Sequence, residues 1–210
     1  RLARIETLNA TADALDLTVG GSLSIAPGQP GPQLLANADG ARSVLRLGAL
    51  VPVGPDGLGV ALDQLDLAVT TGPVHLNGQD GIDLQSIIAR DGLIDIFGNG
   101  LMQVGTVNAL ATQPVILTTA RGDMVSDGAE VTSSELRLFA LDGRIGGTTG
   151  GAFNAETLEG ATLYLFAGVD VTYAETSGNL RAGFALSDQG NLDLSATGNM
   201  TLGILGANGD

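Results

Sequence analysis

The chain has 210 residues, with nine Arg, no Lys, 23 Asp and Glu, and a formal net charge of -14; this excludes the basic patch that nucleic acid or an anionic membrane surface requires. It has no cysteine and one histidine, His75, which excludes a disulfide framework, a thiolate zinc site, a cysteine nucleophile and any multi-histidine metal centre. With 32 glycines, charged residues at 15% and aromatics at 3% without Trp, the core must be built from Leu, Val, Ile and Ala, which suits many thin, similar layers.

The chain opens Arg1-Leu2-Ala3-Arg4, with neither Met nor a signal-like apolar run, and is expected to be internal to a larger protein or cut by processing. Leu15-Asp16-Leu17-Thr18-Val19 then alternates apolar and polar, as does Leu23-Ser24-Ile25 after Gly20-Gly21. Residues 27–32 and 51–57 are rich in Pro and Gly and read as loops projecting from the fold. Alternation resumes at Leu65-Asp66-Leu67-Ala68-Val69 and Val74-His75-Leu76. It returns in Leu136-Arg137-Leu138, Leu163-Tyr164-Leu165, Val169-Asp170-Val171, Leu192-Asp193-Leu194 and Met200-Thr201-Leu202. Period 2 turns one set of side chains inward and the next outward. The best helical candidate, Leu84 to Ala89, reads equally well as a strand.

Turn chemistry separates these runs. Asp-Gly occurs at residues 39, 56, 80, 91, 127 and 142, and Gly-Asn at 98, 178, 190 and 198; these pairs tolerate positive φ and make tight corners. Aligning the corners lays Gly92–Gln113 over Pro114–Glu135, followed by units at Leu136–Gly160, Ala161–Gly190 and Asn191–Asp210. A period in the twenties signals a solenoid. The expected fold is all-β: a parallel β-helix of about ten coils forming one segment over residues 1–210. Its best repeat signal lies over 92–210, and the alternative is an antiparallel β-sandwich. Leu192, Leu194 and Leu202 are expected to face in, with Asp193 and Thr201 facing out.

Gly178-Asn179-Leu180, the run from Gly190-Asn191-Leu192 to Gly198-Asn199-Met200-Thr201-Leu202, and Asp142-Gly143-Arg144-Ile145-Gly146 followed by Thr148-Thr149-Gly150-Gly151 resemble the degenerate repeats of filamentous-haemagglutinin-like giant surface proteins of Gram-negative bacteria. The resemblance covers about residues 92 to 210. It implies a right-handed parallel β-helix, secretion to the cell surface, and service as an extended stalk or adhesin. It implies no catalytic residue.

Carboxylates offer the only chemistry to weigh. The pairs Asp63 and Asp66, Asp80 and Asp83, and Asp91 and Asp95 have spacings that suit part of a calcium shell or an acid/base pair on adjacent coils. Arg90, Phe97 and His75 are the nearby residues that would grip a sugar. Residues 77–84 approach the calcium nonapeptide, but no Gly-Gly precedes them and the unit does not recur. His75 is expected to point outward between Val74 and Leu76. The pairs Thr118-Thr119, Ser133-Ser134 and Thr148-Thr149 are not spaced by one coil, as an ice-binding array requires. Arg42 and Arg46 read as surface charges, and Gly20-Gly21 and Gly146-Gly147 lack the strand–helix setting of a phosphate loop.

The expected function is therefore structural or adhesive: a non-catalytic segment of a secreted filament, extracellular or at the cell surface. No catalytic, cofactor-binding or metal residue is assigned, and no cofactor beyond weak calcium binding by the acidic surface. Expected partners are neighbouring coils, copies of the chain stacked end to end, and surface glycans, with no membrane insertion. Net negative charge is expected to oppose sideways association more than axial stacking. The rival functions are a carbohydrate-active β-helix enzyme and a self-assembling matrix or sheath subunit.

Overall fold

A computed structural model describes residues 5–7, 15–24, 34–36, 42–51, 58–61, 64–71, 73–89, 92–109, 113–126, 128–147 and 151–209. Residues 27–32 and 52–57, the expected loops, lie outside these, as do Asp63, Arg90, Asp91, Thr148 and Thr149.

The described residues form strands and no helix. In chain order these are β1 (Ile5–Thr7), β2 (Leu15–Ser24), β3 (Leu34–Ala36), β4 (Arg42–Val51), β5 (Leu58–Ala61), β6 (Gln64–Thr71), β7 (Val74–Gly78), β8 (Ile82–Ala89), β9 (Ile94–Gly98) and β10 (Met102–Asn108). They continue as β11 (Pro114–Thr119), β12 (Met124–Val125), β13 (Ala129–Thr132), β14 (Glu135–Ala140), β15 (Phe153–Thr157), β16 (Thr162–Ala167), β17 (Val171–Glu175), β18 (Leu180–Ser187), β19 (Leu192–Ala196) and β20 (Met200–Ala207). The candidate helix Leu84–Ala89 is part of β8.

Apart from β12 and β13, which share a sheet, successive strands alternate between two ten-stranded sheets. The first has the order β1-β3-β5-β7-β9-β11-β14-β16-β18-β20. The second runs β19-β17-β15-β13-β10-β8-β6-β4-β2, with β12 pairing to β10. Every strand pair is parallel, for example β14 with β16 and β17 with β19. A parallel pair needs a crossover connection, here through the opposite sheet, so a hairpin-linked sandwich is ruled out. The fold is a parallel β-solenoid.

Alternation decides what fills it. Val74, Ile94, Val115, Leu136 and Leu163 stack in one inward column of the first sheet. Leu76, Ile96, Leu117, Leu138 and Leu165 stack in the next. All ten are at most 3% exposed. In the second sheet Leu67, Ile87, Val107 and Val131 do the same. Full burial of each such side chain is worth about 1.5–3 kcal/mol. The aliphatic columns explain how a core can form with so few rings. Leu192 and Leu194 pack partly buried against the core as expected, and Asp193 is exposed. Leu202 is in register with buried Ala182 but is 42% exposed on β20.

Partners in adjacent coils are about twenty residues apart, as Val115 and Leu136 are, but Leu136 pairs with Leu163 across a longer step. The extra residues fall between β14 and β15. Among the Asp-Gly and Gly-Asn corners, Gly128 and Gly178 have positive φ. Gly122, outside those dipeptides, is required by close approach instead: a Cβ there would lie 2.3 Å from the carbonyl carbon of Gly100 in the coil beneath. Side chains complete other corners. Asp170 accepts from the Arg144 side chain and from the backbone N–H of Asn191, both at 2.9 Å, and Asn179 accepts from the N–H of Asn199 at 2.8 Å.

Candidate functional site

The outward positions of the first sheet carry most of the protein's rings. Along one outward column, Ile116 of β11, Arg137 of β14, Tyr164 of β16, Phe184 of β18 and Ile204 of β20 are in register. The adjacent column holds Phe97, Thr118, Phe139, Phe166 and Leu186. Each ring is half-buried by its neighbours on an otherwise solvated face. Strands about 4.8 Å apart bring these side chains into contact.

The rings pack against one another. Phe139 and Phe184 are stacked with centroids 6.4 Å apart and planes 11° from parallel, and Tyr164 lies tilted against Phe184 at 5.2 Å. A register shift in the β16–β18 pairing, between Leu163 and Tyr164, makes room. The extra residue, Gly183, sits under the tyrosine, and a Cβ there would lie 2.4 Å from Tyr164 Cε1. Arg137 spreads over the Tyr164 ring at 5.6 Å, and its Nε donates to Glu135 Oε1 at 2.5 Å. The one cation inside the ladder is therefore already paired. Apart from the Arg137–Glu135 pair the ladder between β11 and β20 is uncharged and largely apolar, on a protein of net charge -14.

The outer face of the second sheet has the opposite character. Exposed Glu130 and Glu156 are in register on β13 and β15, Asp193 is exposed on β19, and Asp66 and Asp83 lie outward on β6 and β8. On the ring-bearing sheet the carboxylates beside the rings are Asp95, which faces His75, and Glu135, which is paired with Arg137; the exposed acid of Glu130, Glu156 and Asp193, unpaired among the described residues, lies on the second sheet.

The carboxylates weighed as sites fall mainly on this acidic side. Asp80 and Asp83 line an open depression of about 280 Å³ with Gly81, Ile82, Leu101 and Gln103. Burial raises the Asp83 carboxyl above its ordinary value; the hydrogen bond from Gln85 at 2.6 Å opposes the rise and the charge of Asp66 adds to it. Asp95 is on the other sheet, where it faces the Nδ1 of His75 at 3.4 Å. His75 does point outward between buried Val74 and Leu76. Among the described residues, no three His, Cys, Asp or Glu side chains converge on a point where an ion could sit. Thr118 faces out and Thr119 in, where its hydroxyl donates to the Gly100 carbonyl, so the two do not share a face.

Two further groups, not singled out in the sequence, sit inside the coil. Phe153 and Tyr173 stack in the core with centroids 6.1 Å apart, both no more than 1% exposed. Glu175 is 2% exposed and accepts hydrogen bonds from Thr157 and Tyr173. The signal for the outer ladder was present in Leu136–Ala140 and Leu163–Ala167, where rings occupy outward places between buried aliphatics.

The chain matches no family model, no curated protein and no solved structure.

Proposed function

We propose that the chain is a structural and adhesive segment of a secreted bacterial surface filament and performs no catalysis. One observation carries this reading: the buried columns of the first sheet run without a break through the coils and emerge on β20. There Met200, Leu202 and Leu205 continue the columns of Leu180, Ala182 and Ala185 at 47%, 42% and 45% exposure. Uncovered strand edges and apolar stacks are sites of association, so β20 offers a face on which a further coil can stack. A second copy stacked end to end supplies such a coil. A stiff rod built this way suits a stalk that displays ligands along its length, extracellularly or at the cell surface. The repeat resemblance over residues 92–210 supports the same location. Surface glycans are the partners such a stalk would meet.

Electron microscopy of the purified chain tests the reading, with rods that lengthen with concentration as the expected result. The depression holding Asp80 and Asp83 favours a second reading, a carbohydrate-active enzyme. Turnover of any member of a glycan panel, abolished by Asp83→Asn, would establish that reading and end the first.

A further inference from the structure

We propose that the aromatic face of the first sheet is a lateral self-association surface, on which a second copy of this chain packs face to face with its solenoid axis reversed. The sidedness of the molecule motivates it. A net charge of -14 spread evenly would keep rods apart, but the acid of the second sheet points away from the ring ladder. Two ring faces can therefore meet while the acidic faces remain on the two outer sides.

The ladder is self-complementary when one axis is reversed. With a two-fold axis along β16, β14 of one copy faces β18 of the other, and the columns keep their places. Tyr164 and Phe166 then meet their own counterparts. Arg137 faces Phe184, and Phe139 faces Leu186, which are contacts between a guanidinium and a ring and between two apolar side chains. At the edge of the ladder, Glu135 precedes the inward Leu136 as Arg181 precedes the inward Ala182. The reversed axis sets Glu135 of one copy against Arg181 of the other. Arg181 is exposed, and among the described residues no carboxylate pairs with it. The opposite signs therefore match across the interface.

Other occupants fit less well. Phe139 and Phe184 stack face to face along the solenoid, so they present edges outward, whereas a sugar stacks on ring faces. The paired Arg137 leaves no cation waiting inside the ladder for an anionic ligand. The area sets the strength. The five strands β11, β14, β16, β18 and β20, each counted as about six residues, cover about 475 Å² per copy, or about 950 Å² in total, below the 1,200 Å² or so of a stable interface. One such contact is reversible, and contacts repeated along a longer rod add by multivalency.

The absence of cysteine makes the test clean. Thr162 lies on the proposed two-fold axis and Asp193 on the opposite face, so the full chain is prepared as Thr162→Cys and as Asp193→Cys. Facing sheets stand about 10 Å apart, so a short bismaleimide is used rather than oxidation to a disulfide. The expected result is a covalent dimer through position 162 and none through 193 at the same concentration. Phe184→Glu added to Thr162→Cys is expected to abolish the dimer while the chain still folds, with a melting temperature lowered only by the lost contacts to Phe139 and Tyr164. Axial stacking keeps the two 162 positions apart, so failure of the stalk reading leaves this outcome unchanged. Equal cross-linking at 162 and 193, or no dimer at 162 with folding intact, overturns the proposal. Soluble glycan oligomers that shift the tyrosine fluorescence of Tyr173→Phe, which leaves Tyr164 as the emitting residue, while no dimer forms would assign the face to carbohydrate instead.

Discussion

The Tyr173 hydroxyl donates a hydrogen bond of 3.2 Å to Glu175 inside the coil, where both side chains are at most 2% exposed. The same carboxylate accepts from the backbone N–H of Thr157 at 3.0 Å and from its hydroxyl at 2.6 Å. The two Thr157 donors fasten the coil ending at Glu175 to the one beneath, and the third, from Tyr173, holds the carboxylate within its own strand. Removing the acceptor strands all three, so Glu175→Ala is expected to cost about 2–4 kcal/mol, whereas Glu175→Gln keeps one accepting oxygen and costs less. Denaturant unfolding of both variants checks the order.

Burial, reinforced by the nearby Glu175 charge and hydrogen bond, raises the Tyr173 phenol well above its ordinary value of 10.0. A raised acid binds its proton more tightly when folded. Its contribution to stability is therefore complete below about pH 10 and is lost as pH rises through the folded pKa, because the unfolded chain ionises first. Wild type is expected to lose stability above pH 10 more steeply than Tyr173→Phe. Melting temperatures between pH 8 and pH 11.5 read the difference directly.

Inside and outside are set by single-residue register. Leu165→Asp places a charge among Leu138, Ala185 and their neighbours, and is expected to cost at least about 4 kcal/mol or to prevent folding. Leu194→Asp, on the half-buried β19, costs less but remains clearly destabilising. Asp193→Ala, one residue away and exposed, changes stability by less than about 0.5 kcal/mol. Equal effects at 193 and 194 would contradict the register.

Gly122 and Gly151 separate the two roles of glycine. An alanine Cβ at Gly122 meets backbone of the next coil at 2.3–2.5 Å, whereas at Gly151 it meets nothing within 4 Å and φ is not positive. Gly122→Ala is expected to destabilise by at least about 2 kcal/mol, because the opposing atoms are backbone and cannot turn aside. Gly151→Ala is expected to be neutral or slightly stabilising through the unfolded chain. Thermal unfolding of the pair decides it.

Asp83 offers a pH test of the same sign in the acid range. Partial burial raises its carboxyl, so its favourable contribution is present below about pH 4 and is lost as pH rises through the folded pKa. Asn carries no charge at any pH. Asp83→Asn is therefore expected to be slightly more stable than wild type at pH 7, with the gap closing as pH falls below 4. A chemical denaturation series across that range shows the two curves converging.

Alternation made the inside of the solenoid legible, because Leu163-Tyr164-Leu165 and Val74-His75-Leu76 state their faces locally. The aromatic ladder was not legible in the same way. Tyr164 meets Phe184 only through the coil register, and Phe139 stacks on Phe184 diagonally across the intervening strand. That register contains a shift opposite Tyr164 and a long step from Leu136 to Leu163, neither of which has a local signature. Turn chemistry at the Asp-Gly and Gly-Asn corners accounts for the positive φ of Gly128 and Gly178, but Gly81 and Gly143 in the same pairs, and Gly122 and Gly183 outside them, are glycine because backbone or a ring passes too close for a Cβ. Such contacts join residues about twenty apart, a separation at which turn chemistry is silent. The buried Glu175 was likewise hidden: Tyr173-Ala174-Glu175 alternates like any strand, and only the neighbouring coil supplies Thr157.

Axial continuation through β20 is tested most directly by electron microscopy of the purified chain at high concentration and moderate salt, beside Leu202→Arg. Leu202 lies in the column of Leu163 and Ala182 and is 42% exposed, so an arginine there blocks the next coil without entering a filled core. Wild type is expected to form rods whose length grows with concentration, and Leu202→Arg to leave short particles of the same width. Wild-type particles of single-chain length at every concentration, or rods unchanged by Leu202→Arg, would contradict a solenoid that extends through that face.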